Sequence, residues 1–243
     1  MGNVRRNTAL MQLMYGIKDG IPIALGYLSV SFSFGIIAVE GGLTWYQATM
    51  ISVFNTTSAG QVAGLSIMLM HGPLIEMAVT QFVINLRYSL MAISLSQNVN
   101  KGVKPIYRFL FGAMITDEVF AVAVSKVYKV GRGYLLGLQG TAFLGWSLGT
   151  FLGAILGGVL PASVTSALGL AIYGMFIAIF VPRSRDDRRV AIVVVIAIII
   201  SCILKYVPYV NRISSGFAVI ISAVLAALFG AFFLPGNEKK EAA

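Results

Sequence analysis

Three polar constellations interrupt an otherwise apolar chain. Asn85-Leu86-Arg87-Tyr88 and Thr116-Asp117-Glu118 set one base and two acids inside long hydrophobic runs. Asn55-Thr56-Thr57-Ser58-Ala59-Gly60-Gln61 sets a run of small and amide residues inside another. An arginine at the centre of a hydrocarbon layer costs about 2.5–3.5 kcal/mol on the insertion scale. Arg87 is therefore expected to face an interior and find a partner, with Asp117 or Glu118 the natural choice. Neighbouring residues on a helix point about 100° apart, so one acid can pair with Arg87 while the other faces a cavity. Burial favours a protonated carboxyl and a nearby cation favours an ionised one; a carboxyl held between the two can load and release a proton. The competing reading is structural: an ion pair that fixes helix packing, an arginine snorkelling to an interface, or two acids capping a helix.

The stretch Asn55–Gln61 poses a backbone question. Lipid cannot satisfy bare N–H and C=O groups, so irregular chain at membrane depth must line protein or water. An unwound segment there would free N–H groups at the start of its second half, Val62–Met70, and such a positive helix end suits a carboxylate. Asn55, Thr56, Thr57, Ser58, Gly60, Gln61 and Asn85 are the candidate substrate-binding residues; Arg87, Asp117 and Glu118 are the candidate coupling group or buried ion pair. The bland alternative is an intact helix whose hydroxyls pack against neighbours. Gly133, Gly137, Thr141, Gly145, Gly149, Gly153 and Gly157 recur at every fourth position, which reads as a packing seam rather than a site. His71, beside Gly72-Pro73, reads as a loop residue, and Trp45 and Tyr46 as interfacial anchors. No Walker motif, zinc cluster or nucleophile elbow is present, so no metal or cofactor is expected, and neither an enzyme nor an ATP-driven pump has its required parts.

The elements that must position these residues follow from composition. Of 243 residues 58% are hydrophobic and 11% charged, against about 25% charged in soluble domains. Gly41–Ile75 and Gly133–Pro182 contain no Asp, Glu, Lys or Arg; such runs fit successive spans joined by neutral turns. The net charge of +9 sits in clusters between apolar runs, the pattern of cytoplasmic loops beside anionic lipid, not of a nucleic-acid surface. Cys202 is the sole cysteine and can form no internal disulfide. The first sixteen residues lack a cleavage site, so the first segment is expected to act as an uncleaved anchor.

Eight candidate helices result: Gly20–Val39, Trp45–Met70, Leu74–Gln97, Tyr107–Val124, Tyr134–Leu160, Ser163–Val181, Val190–Val207 and Ser214–Leu234. The second and fourth carry the polar interruptions. If all eight cross, twelve Lys/Arg fall on the N-terminal side and five opposite; if those two dip and return, fifteen and two. The re-entrant path fits the positive-inside bias better. The expected fold is all-α: a polytopic membrane protein of about six to eight spans, one or two of them broken or re-entrant. It would form a single transmembrane domain over 1–243, with loose structural repeats at 20–124 and 134–234, a polar tail at 235–243 and a cytoplasmic N-terminus in the inner membrane.

At these motifs the chain resembles the AzlC-type branched-chain amino acid permease family. The resemblance is carried by Gly20-Ile21-Pro22-Ile23-Ala24-Leu25-Gly26-Tyr27, Thr57-Ser58-Ala59-Gly60-Gln61, Asn85-Leu86-Arg87, Thr116-Asp117-Glu118, and Met175-Phe176-Ile177-Ala178 before Val181-Pro182, in the family's order. It implies the large subunit of a two-component exporter of branched-chain amino acids; a proton on Asp117 or Glu118 is expected to couple that export to the proton-motive force. Its partner would be a small, separately encoded AzlD-type membrane subunit; homo-oligomerisation is left open. By the same resemblance Gln61 and its small neighbours line the substrate path, and Arg87, Asp117 and Glu118 form its buried polar centre. Many members have a less polar Ala/Gly-rich lead-in to this glutamine, where this chain has Asn55, Thr56 and Thr57. A passive channel for a small neutral or anionic solute would use the same broken helix without a proton. A non-transporting scaffold would have little use for buried charge.

Overall fold

The computed structural model describes residues 9–100, 102–161, 163–164, 170, 174, 177, 181–182, 184–208 and 213–234. Helix α1 spans Ala9–Glu40, beginning well before the Gly20 read from hydrophobicity, because Met11 to Lys18 continue the same helical register. Pro22 lies inside it and leaves one carbonyl without its usual helical donor. The helix stops at a Schellman cap: Gly42 stands at φ +100°, and the N–H groups of Leu43 and Gly42 donate to the carbonyls of Ala38 and Val39 at 3.0 and 2.9 Å. Glycine adopts that left-handed geometry without a Cβ penalty.

The remaining helices are α2 (Trp45–Phe54), α3 (Ser58–Leu69), α4 (Leu74–Asn98), α5 (Pro105–Ala113), α6 (Asp117–Val124), α7 (Arg132–Leu156), α8 (Arg188–Tyr206) and α9 (Ser215–Phe233). A 3-10 turn, Gly157–Val159, follows α7. Among the described residues the fold is all-α and polytopic, with five helices long and apolar enough to span a membrane: α1, α4, α7 with its 3-10 turn, α8 and α9. The sixth expected segment, Ser163–Val181, lies largely outside the described residues, as do most of Met175-Phe176-Ile177-Ala178 and the tail 235–243. The described residues fall into two compact units, one drawn from Met1–Val62 and Asn85–Ile172, the other from Ala63–Ile84 and Tyr173–Ala243.

In the first unit α1 and α7 run side by side in the same direction. Gly133 faces Ala9, Gly137 faces Leu13, Gly145 faces Ala24, Gly149 faces Leu28, and Gly153 faces Phe32. A Cβ at Gly145 would stand 2.5 Å from the Ala24 carbonyl oxygen, closer than any real methyl approaches backbone. From the other side, Gly16 and Gly35 meet the carbonyls of Tyr134 and Thr150. The four-residue glycine spacing thus buries backbone against backbone, the packing available where lipid supplies no hydrophobic drive.

The C-terminal half of α4 runs against this pair. Asn85 bonds to Thr57 at 2.7 Å, while Val99, just past the end of α4, bridges Val130, just before the start of α7. Arg108 holds that turn by donating to the carbonyls of Ser96, Asn100 and Val103 at 2.6, 2.9 and 3.1 Å. Helix α2 starts beyond the far end of α1, and Ser52 near its end lies beside Thr150. Helices α5 and α6 enter and leave at the opposite end of α1 and α7. Tyr107, at the start of α5, lies under the Arg132 guanidinium at 3.8 Å, and Lys126, just past α6, pairs with Asp19 at 2.7 Å. Both ends of that hairpin therefore sit by the N-terminal part of α1 and α7.

In the second unit the end of α3 and the start of α4 form an antiparallel corner. His71 occupies the left-handed cap at φ 51°. The N–H groups of Gly72 and His71 donate to Ile67 and Met68 at 2.8 and 3.1 Å, so the residue read as loop is the cap of α3. Glu76 is 2% exposed and accepts from the Gly216 N–H at the start of α9 at 2.9 Å. Helices α8 and α9 pack on each other, Val193 against Gly230, and present Ile192, Val195, Ile198 and Ile199 outward.

Candidate functional site

The first break is narrower than the polarity of its sequence implies. A capping box between Thr44 and Gln47 starts α2, and the helix stops at Phe54. Only residues 55–57 are irregular; Ser58-Ala59-Gly60-Gln61 already form the first turn of α3, not a lead-in to a helix starting at Val62. The Thr57 N–H donates to Asn55 Oδ1 at 3.2 Å, an Asx turn that reverses the chain. Gln61 crosses the break: its Nε2 donates to the Asn55 carbonyl at 2.6 Å and to Ser52 Oγ at 2.9 Å. Ser52 Oγ lies 2.6 Å from Thr150 Oγ1 on α7, and the Thr57 hydroxyl donates to Asn85 Oδ1 at 2.7 Å. The tip of the hairpin is thereby pinned to both α7 and α4.

The second break covers Met114–Thr116. Thr116 caps α6, its Oγ1 accepting from the Val119 N–H at 3.4 Å. Asp117 and Glu118 occupy the first turn of α6, where the helix dipole favours negative charge, rather than the middle of a span. The two acids diverge. Asp117 pairs with Arg87 at 3.0 Å; Glu118 accepts from the Tyr27 hydroxyl of α1. Arg87 also donates to the Tyr88 hydroxyl at 2.8 Å. Its side chain is 45% exposed within the chain and that of Asp117 16%, so Arg87 lies at the edge of the polar centre instead of deep inside it.

A small cavity lies where the tips meet. It is lined by Tyr27, Thr56, Met114, Thr116, Val119, Gln139, Ala142, Phe143 and Trp146, residues of α1, both breaks, α6 and the middle of α7. Of the residues proposed from sequence for substrate, Thr56 alone lines it; Asn55, Thr57, Gln61 and Asn85 build the frame of the break, and Ser58 and Gly60 belong to the first turn of α3. Glu118 reaches the lining through Tyr27, which stacks edge-on against Trp146 at 5.3 Å between centroids.

Sequence reasoning passed over Gln139 and Trp146. Gln139 Nε2 donates to the Phe111 carbonyl at 2.8 Å, which leaves Oε1 as an acceptor. That oxygen and the Trp146 Nε1–H are both buried without a hydrogen-bond partner among the described residues. A buried polar atom so placed needs an explanation. The available signal was periodicity: positions 139, 142, 143 and 146 share one helix face, beside the glycine seam that dominates the run. Among the described residues no group of three His, Cys, Asp or Glu could hold a metal ion.

Comparison with known proteins agrees with a membrane protein. The model of the family described as AzlC protein matches residues 22–160. The inner membrane protein YgaZ of Escherichia coli (strain K12) is 26% identical over 173 residues, covering 68% of this chain and 70% of that protein. An uncharacterized membrane protein of Archaeoglobus fulgidus is 28% identical over 170 residues, 69% of this chain and 74% of its own length. A second, from Helicobacter pylori, is 23% identical over 198 residues, 77% and 86% of the two chains. No solved structure matches. The family match takes in α2 to α7 and both helix breaks, more than half of the sequence, and the chain is a membrane protein that belongs to the AzlC family.

Proposed function

We propose that this protein carries small apolar amino acids of the branched-chain type out of the cell, as the large subunit of a two-component permease in the inner membrane. One observation carries the reading: α2 and the α5–α6 hairpin come in from opposite ends of α7, and their breaks meet at a small cavity midway along it. Broken segments that meet at the midplane are where transporters hold their solutes. The start of α3 contains no acid in its first turn and suits a substrate carboxylate; the start of α6, with Asp117 and Glu118, suits an ammonium. The cavity measures about 10 Å³, room for about one water, so a leucine-sized solute enters only when a tip withdraws. Withdrawing one tip opens the cavity to one side and withdrawing the other opens it to the opposite side, which is alternating access. A cavity this small is not a continuous pore.

The proton-motive force would act through Asp117 or Glu118, the acids at the polar centre, by proton exchange as the tip of α6 moves. The basic clusters orient the protein: with both hairpins re-entrant, fifteen Lys/Arg fall on the side of the N-terminus and two opposite, which makes that side cytoplasmic. The half-exposed Arg87 is where a small AzlD-type subunit would cover the first unit. The test is transport of radiolabelled L-leucine in proteoliposomes under an imposed proton gradient, with and without that subunit. Accumulation against the leucine gradient is expected, and lost in Asp117→Asn or Glu118→Gln. Flux indifferent to the proton gradient would mean a channel, and full activity in both variants would remove the coupling role.

A further inference from the structure

We propose that Gln139 and Trp146 hold the two charged ends of a zwitterionic amino acid, with Gln139 Oε1 accepting from its ammonium and Trp146 Nε1–H donating to its carboxylate. This rests on the transport reading above and deepens it, moving primary recognition from the hairpin tips to the fixed helix between them. An indole nitrogen only donates, and an amide oxygen only accepts. Gln139 is 3% exposed and Trp146 2%, and both line the same cavity with those atoms unpartnered among the described residues. The amide cannot be turned round to swap its roles, because its Nε2 already donates to the Phe111 carbonyl at 2.8 Å.

Order along α7 supplies the polarity. Gln139 lies toward the α5–α6 tip, where Thr116 and the two acids favour a cation. Trp146 lies two turns further on, against Tyr27. The ligand so described has an acceptor-seeking cation at one end and a donor-seeking anion at the other. The apolar part of the lining, Met114, Val119, Ala142 and Phe143, is left for an aliphatic side chain. Neither residue sits on a moving tip: α7 is locked to α1 along the whole glycine seam. A fixed recognition pair flanked by two withdrawable tips lets one site face either side of the membrane without being rebuilt.

The experiment measures binding to purified full-length protein in lipid nanodiscs, with three probes: L-leucine, 4-methyl-2-oxopentanoate, which lacks the ammonium, and 3-methylbutylamine, which lacks the carboxylate. Trp146→Phe is expected to weaken leucine and the oxo acid at least about tenfold, the loss of one charge-assisted hydrogen bond, and to leave the amine unchanged. Gln139→Leu is expected to weaken leucine and the amine by a similar factor and leave the oxo acid unchanged. Leucine binding unaltered in both variants overturns the proposal and leaves the pair to a structural water. Absence of leucine binding by the unsubstituted protein overturns the substrate reading and this assignment with it. Should a substitution prevent folding, Trp45→Phe leaves Trp146 as the sole tryptophan; saturating leucine must then shift its fluorescence, and an unchanged spectrum sinks the assignment.

Discussion

A guanidinium inside an apolar segment needs something to replace its lost hydration, and Arg87 has found Asp117 and the Tyr88 hydroxyl within 3.0 Å. Because Arg87 is nearly half exposed in the chain, the pair is not a deeply buried one, and its coupling should be modest. A double-mutant cycle of Arg87→Ala and Asp117→Ala, read by thermal unfolding in detergent, should give a value toward the low end of about 0.5–3 kcal/mol, the range for residues in direct contact. A value near zero would mean that the pair contributes nothing to folding and is held for transport alone. Glu118 depends on a single neutral donor. Tyr27→Phe keeps the ring against Trp146 but strips the hydroxyl from Glu118, leaving a carboxylate without its partner. The expected loss is about 1–3 kcal/mol of stability, together with altered proton dependence of leucine transport; transport with an unchanged pH profile would detach Glu118 from coupling.

At the scale of elements, the glycine seam on α7 makes a sharp contrast available within one helix. Gly145→Ala puts a methyl 2.5 Å from the Ala24 carbonyl oxygen, whereas Gly140→Ala meets nothing within 4 Å. The first should destabilise by about 1–3 kcal/mol, as overpacking does. The second should be neutral or stabilising by up to about 1 kcal/mol, since alanine is the better helix former. Equal effects would show that α1 and α7 are not in backbone contact. The seam was legible from its spacing alone, and so were both helix breaks, because hydroxyls, amides and acids in mid-span are hard to reconcile with lipid. The extent of the first break was not. Ser58-Ala59-Gly60 are small enough to sit in a helix once Thr57 and Asn55 have turned the chain, and polarity alone cannot separate a turn from the first turn of a helix. Gln139 and Trp146 were hidden for a different reason: uncharged, flanked by seam glycines, they look like packing until the hydrogen-bond partners are known. His71 lies in a turn, as its neighbours Gly72-Pro73 implied.

For the whole molecule the path of the chain has the widest reach, since alternating access needs the α5–α6 segment to turn back. Helices α1 and α7 run parallel, and α5–α6 returns to the end of them that it left. That path gathers Lys104, Lys126 and the start of α1 on one face, and it does so independently of any count of charges. The count then agrees, because moving Lys101, Lys104 and Arg108 to the N-terminal side strengthens the bias that basic loops show in bilayers. A path with every segment crossing would separate Lys104 from Lys126 by the full membrane. In a Cys202→Ser background, which removes the only native thiol, Lys104→Cys and Lys126→Cys should both be labelled by an impermeant maleimide in inside-out vesicles. Both should be protected in right-side-out ones. A cysteine at Gly42, beyond the far end of α1, should show the opposite pattern. Labelling of Lys104→Cys and Lys126→Cys from different sides would make α5–α6 a full crossing, remove the second hairpin, and with it the meeting of two tips on which transport through this cavity depends.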